Sequence, residues 1–224
     1  METTQFTKPY GKDRFFIVSN RDILAAPVDV IVNPANSGLS HGGGLAEKIL
    51  LEAGEKLEEE SNKIIKEKRK IPVTEAVVTT AGRLPYKGVI HAVGPCMGDG
   101  KEQLKIEKTI LNCLQIADNY KWESIAFPAI STGIFSVPHK ICATAFDKAV
   151  LSYWKNFSNN SSVKKIWLCL LKDDYSIFEK ILNSDMRNKK QEEQIENYDR
   201  DIPVYTLTEK EIEQIEQDDS DLIF

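Results

Sequence analysis

NPANSGLSHGGGLA, residues Asn33–Ala46, is the most informative stretch of this sequence. The apolar run Val28–Val32 precedes it and is typical of a buried strand, whereas the residues after it have the spacing of an amphipathic helix. The stretch is therefore predicted to be a polar, glycine-rich loop between a strand and a helix. Glycines let a ligand approach the backbone closely, and the unpaired N–H groups of a helix N-terminus suit an anion. Such a loop can hold a phosphate, although a glycine-rich turn without a ligand has the same composition.

Apolar runs and amphipathic patterns alternate along the chain after its polar N-terminus. The runs are rich in Val, Ile and Ala, as in buried strands. Repeated strand–helix units of this kind predict a three-layer α/β/α sandwich with a mixed, largely parallel sheet. Strands are predicted at residues 14–19, 29–33, 74–81, 88–93, 124–128 and 163–171, and helices at about 45–53, 55–69, 102–120, from 138 onward and at 175–182.

Composition divides the 224 residues at about position 185. Residues 185–224 contain 13 acidic and 5 basic residues, whereas residues 1–184 have a net charge of +3. We predict a lead-in at 1–11, a folded domain at 12–184 and an acidic C-terminal extension at 185–224, with a short helix that starts at the capping box Thr208–Glu211. The extension is either a solvated tail or a short element that binds a protein partner.

Several classes of protein are not expected. The sequence has no membrane-spanning stretch and no signal-peptide pattern, which predicts an intracellular protein of the cytoplasm or nucleus. The four cysteines are widely spaced and are expected to be free thiols. The three histidines have no carboxylate or thiol partner at a ligand spacing, so neither a metal nor a cofactor is predicted. The mildly basic body has no basic stripe, which makes a nucleic-acid partner unexpected.

A second polar loop, PAISTGIFS at residues 128–136, follows the predicted strand 124–128. In parallel sheets, ligands collect at the carboxyl ends of the strands. The loops 33–44 and 130–136 both leave such ends, so we expect them to lie side by side and to hold one ligand. His91 falls inside a predicted strand, where a hydrogen-bonded core histidine is the expected outcome.

Three blocks of sequence together resemble the macrodomain family, whose members bind ADP-ribose. They are NPAN followed by three glycines at 33–44, VIHAVGP at 89–95, and AFPAISTGIFSVP at 126–138. The similarity covers roughly residues 12–184. Residues 81–95 are especially similar to macrodomains of animal multi-macrodomain ADP-ribosyltransferases, and HGGG at 41–44 is similar to coronaviral macrodomains.

The resemblance implies a place for each part of ADP-ribose. Asp22 would accept a hydrogen bond from the adenine amino group, and backbone N–H groups of the two loops would bind the two phosphates. Asn36 would bind the distal ribose, and Phe135 would cover one face of that sugar. The implied ligand-binding residues are Asp22, Ile23, Asn36, Gly43, Gly44, Leu45, Ala46, Ser131, Thr132, Gly133, Ile134 and Phe135.

The resemblance also implies a choice between binding and catalysis. Hydrolases of the family attack the anomeric carbon of the distal ribose with a held water, and Asn36 and His41 are the candidate catalytic residues. One hydrolase subgroup has an Asp two residues after its glycines, where this chain has Ala46, and neighbouring Glu47 should face elsewhere. We expect hydrolysis of mono-ADP-ribose from carboxylates of modified proteins. The alternatives are a non-catalytic reader of ADP-ribosylated proteins and a phosphatase acting on ADP-ribose 1″-phosphate.

Overall fold

A computed structural model describes residues 3–157 and 161–184, and a sheet of seven strands runs through this part of the chain. Helices follow or connect most of the strands, in the alternation that the sequence predicts. The elements are β1 (Gln5–Pro9), β2 (Phe15–Ser19), β3 (Val30–Ala35), α1 (Gly44–Ala53), α2 (Glu55–Lys68), β4 (Ala76–Thr79), β5 (Gly88–Val93), α3 (Glu102–Asn119), β6 (Ser124–Phe127), α4 (His139–Phe157), β7 (Lys165–Cys169) and α5 (Lys172–Ser184), with a 3₁₀ turn at Ile23–Ala25.

The strand order is β1-β2-β7-β6-β3-β5-β4. The five inner strands are parallel, and the edge strands β1 and β4 are antiparallel to their neighbours. This confirms the prediction of a mixed, largely parallel α/β sheet. Strand β3 pairs with β5 as far as Ala35, but its pairing with β6 ends at Ile31. The carboxyl end of β3 therefore extends four residues beyond its contact with β6, which leaves room for a crevice there.

Side chains alternate between the two faces of the sheet, because successive residues of a strand point in opposite directions. In β3, Val30 and Val32 join the core beneath α3, α4 and α5, whereas Ile31 joins the core beneath α1 and α2. Both cores consist of buried aliphatic and aromatic side chains. The continuous apolar runs in the sequence reflect this burial on both faces.

Strand β1 was not predicted, because its sequence, QFTKP, is polar. Only one of its faces is partly covered: Phe6 packs against the larger core, and Lys8 forms an ion pair of 2.7 Å with Asp147. An edge strand of this type has no continuous apolar run to reveal it. The predicted helix at Thr208–Glu211 and the rest of the acidic extension lie outside the described residues.

His91 in β5 is fully buried and hydrogen-bonded at both ring nitrogens, as expected for a core histidine. Asn33 Nδ2 lies 3.0 Å from Nδ1, and Thr79 Oγ1 lies 2.8 Å from Nε2. Thr79 donates its own proton to the carbonyl of Thr80, so it accepts one from His91 Nε2. The arrangement requires a neutral imidazole, and burial, together with neighbouring His41, lowers the pKa of His91 to about 3.

This lowered pKa predicts a loss of stability in mild acid. Unfolded His91 takes up a proton as the pH falls below about 6.5, but folded His91 stays neutral until about pH 3. The contribution of His91 is therefore complete above pH 6.5 and decreases at lower pH, by up to about 1.4 kcal/mol per pH unit. We expect urea unfolding between pH 7 and 5 to show a shallower decline for His91→Gln than for the wild type. Parallel declines would contradict this account.

Candidate functional site

The side chain of Asn36 organises the loop that follows β3. Its Oδ1 accepts hydrogen bonds from the backbone N–H groups of Gly38 and Ser40, at 3.1 and 3.0 Å. Its Nδ2 donates one hydrogen bond of 3.1 Å to the carbonyl of Ser40. An amide has two N–H groups on Nδ2, so Asn36 can donate one more hydrogen bond to a ligand. Asn36 is exposed, and it combines ordering of the loop with a free donor.

The N-terminus of α1 presents backbone N–H groups without partners. Gly43 occupies the capping position and has no side chain to satisfy them. Within the described residues, no acceptor is assigned to the N–H groups of Gly44, Leu45 and Ala46. These groups and the positive end of the helix dipole can bind an anion. Ala46 is buried and Glu47 is exposed, as expected for neighbours on a helix.

The loop after β6 forms a second set of free N–H groups. Its carbonyls are occupied: Ser131 accepts from Val137, and Gly133 accepts from Ser136, both at 2.9 Å. In the described part of the chain, the N–H groups of Ser131, Gly133, Ile134 and Phe135 have no assigned acceptor, whereas that of Thr132 donates to Ala129. Ser131 has a φ of 67°, so the chain turns sharply there. Successive free N–H groups in such a turn form an anion-binding concavity.

Close packing fixes this second loop against the end of β5. A Cβ on Gly94 would overlap Ser131 Oγ and would lie 2.7 Å from Ile130 Cγ2. The backbone of β5 can therefore approach the loop only with glycine at this position. The N–H of Met97 also donates to the carbonyl of Phe135, at 2.8 Å. Both contacts hold the loop, so its N–H groups are positioned before a ligand arrives.

The two loops contact each other beyond the point where the pairing of β3 with β6 ends. Ile134 Cδ1 lies 3.7 Å from the position that a Cβ on Gly43 would occupy. Ile134 is nevertheless 80% exposed, so it lies outside the core. The loop that precedes α1 and the loop that follows β6 therefore contact each other through Gly43 and Ile134.

Asp22 lies at the start of the 3₁₀ turn, and both of its carboxylate oxygens are engaged. Oδ1 accepts a hydrogen bond of 3.1 Å from the N–H of Leu24, and Oδ2 forms an ion pair of 2.6 Å with Lys48 on α1. Partial burial opposes ionisation, but these contacts outweigh it and hold the pKa of Asp22 below its usual value. Ile23 is buried beside it, and its carbonyl accepts a hydrogen bond from Tyr86 Oη. Sequence reasoning missed Lys48, because an exposed lysine on a helix carries no distinguishing signal.

His41 is buried beneath the glycine loop, where it contacts α2. Its Nε2 lies 3.2 Å from Ser61 Oγ, and Ser61 donates its only proton to the carbonyl of Leu57. His41 Nε2 must therefore carry the proton that it shares with Ser61. Nδ1 is then an acceptor, and it is buried without a partner among the described residues. Burial lowers the pKa of His41, although nearby Glu58 opposes this change.

The positions of His41 and Asn36 differ in a way that the sequence did not reveal. Asn36 is exposed and has a free donor, whereas the imidazole of His41 is 8% exposed and its ring centroid lies 5.3 Å from that of His91. Ser61, the partner of His41, is a polar residue on the apolar side of α2. A polar residue on that side is the sequence signal from which a buried polar contact on this helix could have been predicted.

Residues 3–157 and 161–184 contain neither a cluster of metal-ligating side chains nor a helix that could span a membrane. No group of three or more His, Cys, Asp or Glu side chains in this part of the chain has a geometry that would hold a metal ion. None of the helices described there has both the length and the hydropathy needed to cross a membrane. Cys113, Cys142 and Cys169 are buried thiols, and Cys96 is an exposed one.

The family profile described as "Macro domain" matches residues 32–146 of the chain. An uncharacterised protein of Saccharolobus solfataricus is 40% identical over 82% of this chain and 99% of its own length. The O-acetyl-ADP-ribose deacetylase of Escherichia fergusonii is 40% identical, over 63% of this chain and 81% of the enzyme. The human protein mono-ADP-ribosyltransferase PARP14 is 35% identical over 68% of this chain, which corresponds to 9% of that protein.

Solved structures show the same architecture. The Oceanobacillus iheyensis macrodomain, solved with ADP, superimposes with a TM-score of 0.77 and 25% identity, and the match covers 84% of this chain and 99% of that one. By sequence and by fold, the chain belongs to the macrodomain family.

Proposed function

We propose that this protein binds ADP-ribose and hydrolyses mono-ADP-ribose from carboxylate side chains of modified proteins. The observation that carries the proposal is the pair of free N–H clusters, Gly44–Ala46 on one loop and Ser131 with Gly133–Phe135 on the other, on two loops that contact each other through Gly43 and Ile134. A diphosphate has two anionic groups a short distance apart, and each cluster suits one of them. The O. iheyensis macrodomain, which has the same fold, was solved with ADP, a ligand with this diphosphate.

The two ends of the crevice suit the two ends of ADP-ribose. Asp22 has a carboxylate that can accept a hydrogen bond from an adenine amino group, and Ile23 follows it in the chain with its side chain buried in the core. Asn36, on the loop after β3, has a donor for the distal ribose. Phe135 is half-buried at the end of the second loop, where an aromatic ring can cover a sugar face. The diphosphate then lies between Asp22 and Asn36.

The proposed reaction is attack of a held water on the anomeric carbon of the distal ribose. A C–O bond forms to the water, the bond from the anomeric carbon to the substrate's carboxylate oxygen breaks, and the carboxylate leaves with the electron pair. A ligand phosphate oxygen is the base that accepts the water's proton, since Ala46 replaces the Asp of one hydrolase subgroup. A carboxylate is a good leaving group, so positioning and electrostatics can supply much of the acceleration.

Asn36 and His41 have different parts in this proposal. Asn36 contacts the ribose directly through its free Nδ2 proton and orients the anomeric carbon toward the water. His41 contributes from beneath the loop: its hydrogen bond to Ser61 connects the residue before the three glycines to α2. We therefore assign His41 a positioning role.

A second candidate is deacetylation of O-acetyl-ADP-ribose, and the 40% identity to the E. fergusonii deacetylase favours it. Both substrates are esters on the distal ribose, so the same crevice would bind either. They differ in the C–O bond that breaks. In the protein ester it is the bond from the anomeric carbon to oxygen, and in the acetyl ester it is the bond from the acyl carbon to oxygen. The remaining alternatives are a non-catalytic reader and a phosphatase acting on ADP-ribose 1″-phosphate.

The substrate is tested by presenting each candidate to the full-length protein. We expect label release from a Glu-linked, auto-modified ADP-ribosyltransferase, and a slower reaction or none with ADP-ribose 1″-phosphate. O-acetyl-ADP-ribose, assayed by chromatography, measures the second candidate in parallel. Binding of ADP-ribose by calorimetry without release of label at high enzyme concentration would favour the reader and overturn the hydrolase proposal.

Removal of the Asp22 carboxylate should weaken ADP-ribose binding. The lost hydrogen bond is charge-assisted, so Asp22→Ala should lower the calorimetric affinity by about 10- to 100-fold, which corresponds to roughly 1.5–3 kcal/mol. Lys48→Met is the matched control, because it removes the ion pair on Asp22 but keeps the carboxylate. Equal affinities of wild type and Asp22→Ala would show that adenine lies elsewhere.

Substitution of Asn36 should affect hydrolysis more than binding. Asn36→Asp keeps acceptors for the N–H groups of Gly38 and Ser40 but lacks the donor, whereas Asn36→Ala lacks both. Loss of a positioned donor at the reacting centre typically costs about 100-fold in rate, so we expect both variants to lose about this much kcat. Calorimetry should show a much smaller loss of ADP-ribose affinity. If Asn36→Asp retained full kcat, Asn36 would act only by ordering its loop.

A further inference from the structure

The positive charge of the described domain is concentrated in one segment. Residues 63–70, KIIKEKRK, contain five cations and one anion, a net charge of +4, whereas residues 1–184 as a whole have a net charge of +3. We call residues 63–70 the basic segment. The rest of the domain is close to neutral, so the charge of this segment requires an explanation of its own.

The helix dipole accounts for part of the segment. Lys66 and Lys68 lie in the last turn of α2, where cations interact favourably with the negative end of the helix. Arg69 and Lys70 lie beyond the end of the helix, and Arg69 reverses the chain with a φ of 68°. All four are exposed, and within residues 3–157 and 161–184 none of them has an ion-pair partner. Their charge is therefore available to a partner.

The basic segment lies beside the ribose end of the crevice. The N–H of Ile71, the residue directly after the segment, donates a hydrogen bond of 2.8 Å to the carbonyl of Ser37, which follows Asn36. Ile64 and Ile65 pack against the small core formed by Ala35, Leu39, Ile71 and Val93. The loop that would hold the distal ribose is thus attached to the segment through both backbone and side-chain contacts.

From this position we propose that the basic segment is a docking surface for acidic sequence that flanks the modified side chain of a protein substrate. The inference rests on the proposed function, because the proposed placement of the distal ribose at Asn36 determines where the attached protein would leave the site. A protein joined to the anomeric carbon must leave the crevice at this end, next to Lys68, Arg69 and Lys70. Acidic residues near the modified carboxylate complement these cations. They also raise the local substrate concentration by electrostatic attraction.

A nucleic acid is the other macromolecule that a cationic surface suits, and the composition of the segment argues against it. Single strands are bound by cations together with aromatic side chains on which the bases stack. Residues 63–70 contain no aromatic residue. The segment is also short, and it lies at the end of a helix rather than along a groove. Charge without stacking surface is better suited to carboxylates.

Two synthetic peptides test the proposal on the full-length protein. Each carries one ADP-ribose group on the same side chain through a hydrolysis-resistant linkage. One peptide has three glutamates on each side of the modified residue, and the other has three glutamines. We expect the acidic peptide to bind about tenfold more tightly at low ionic strength, with the difference decreasing as salt is added.

The variant Lys68→Gln/Arg69→Gln/Lys70→Gln should bind both peptides equally and should bind free ADP-ribose as the wild type does. The matched control is Lys12→Gln/Lys155→Gln/Lys165→Gln, which removes the same charge from exposed lysines outside the segment and should keep the preference. The single variant Lys70→Gln should show a smaller loss of the preference for the acidic peptide. Because Lys70 lies outside α2, this loss would not result from a change in helix stability.

The outcomes separate this inference from the proposed function. Equal binding of the two peptides by a wild type that binds ADP-ribose would overturn the docking surface alone. A wild type that binds neither ADP-ribose nor the peptides would overturn the proposed function as well. If an unmodified single-stranded oligonucleotide bound the wild type but not the triple variant, the surface would belong to a nucleic acid and the inference would be wrong.

Discussion

The short pairing between β3 and β6 is the constraint on which the site depends. The strands are hydrogen-bonded neighbours at the centre of the sheet, but their pairing ends at Ile31 while β3 continues to Ala35 beside β5. Parallel strands at this point direct two following loops to the same edge of the sheet. Strand β3 continues there beyond its pairing with β6, and the two loops that follow contact each other through Gly43 and Ile134. The anion-binding N–H groups follow from this geometry and not from any single side chain.

Backbone donors also explain the distribution of charge. The free N–H groups of the two loops supply positive potential without lysine or arginine, and nearby Lys48 on α1 is paired with the carboxylate of Asp22. The crevice can therefore bind a diphosphate even though the whole chain has a net charge of −5. The cations of residues 63–70 are not needed for the diphosphate. They lie where a different part of the substrate would approach.

The sequence predicted those features that depend on local pattern. The apolar runs predicted six of the strands, and the glycines of 42–44 and the Ser131–Phe135 stretch predicted both loops, because close approach of backbone and ligand requires particular residue types. It did not predict β1, whose polar residues pair at an edge. Nor did it predict the contacts of His41 with Ser61 and of Asp22 with Lys48, since each pairs residues that are 20 or more positions apart in sequence. Tertiary packing decides such pairs.

The burial of His41 and the presence of Ala46 lead to one conclusion about chemistry. A general base must reach the water whose proton it takes, but the unprotonated Nδ1 of His41 is buried beneath the loop and Ala46 has no titratable group. Within the proposed reaction, the acceptor for that proton is then the ligand's own phosphate. The rate therefore depends on the leaving group more strongly than it would with a carboxylate base. An ester of Asp or Glu meets that condition, whereas a poorer leaving group such as a serine hydroxyl does not.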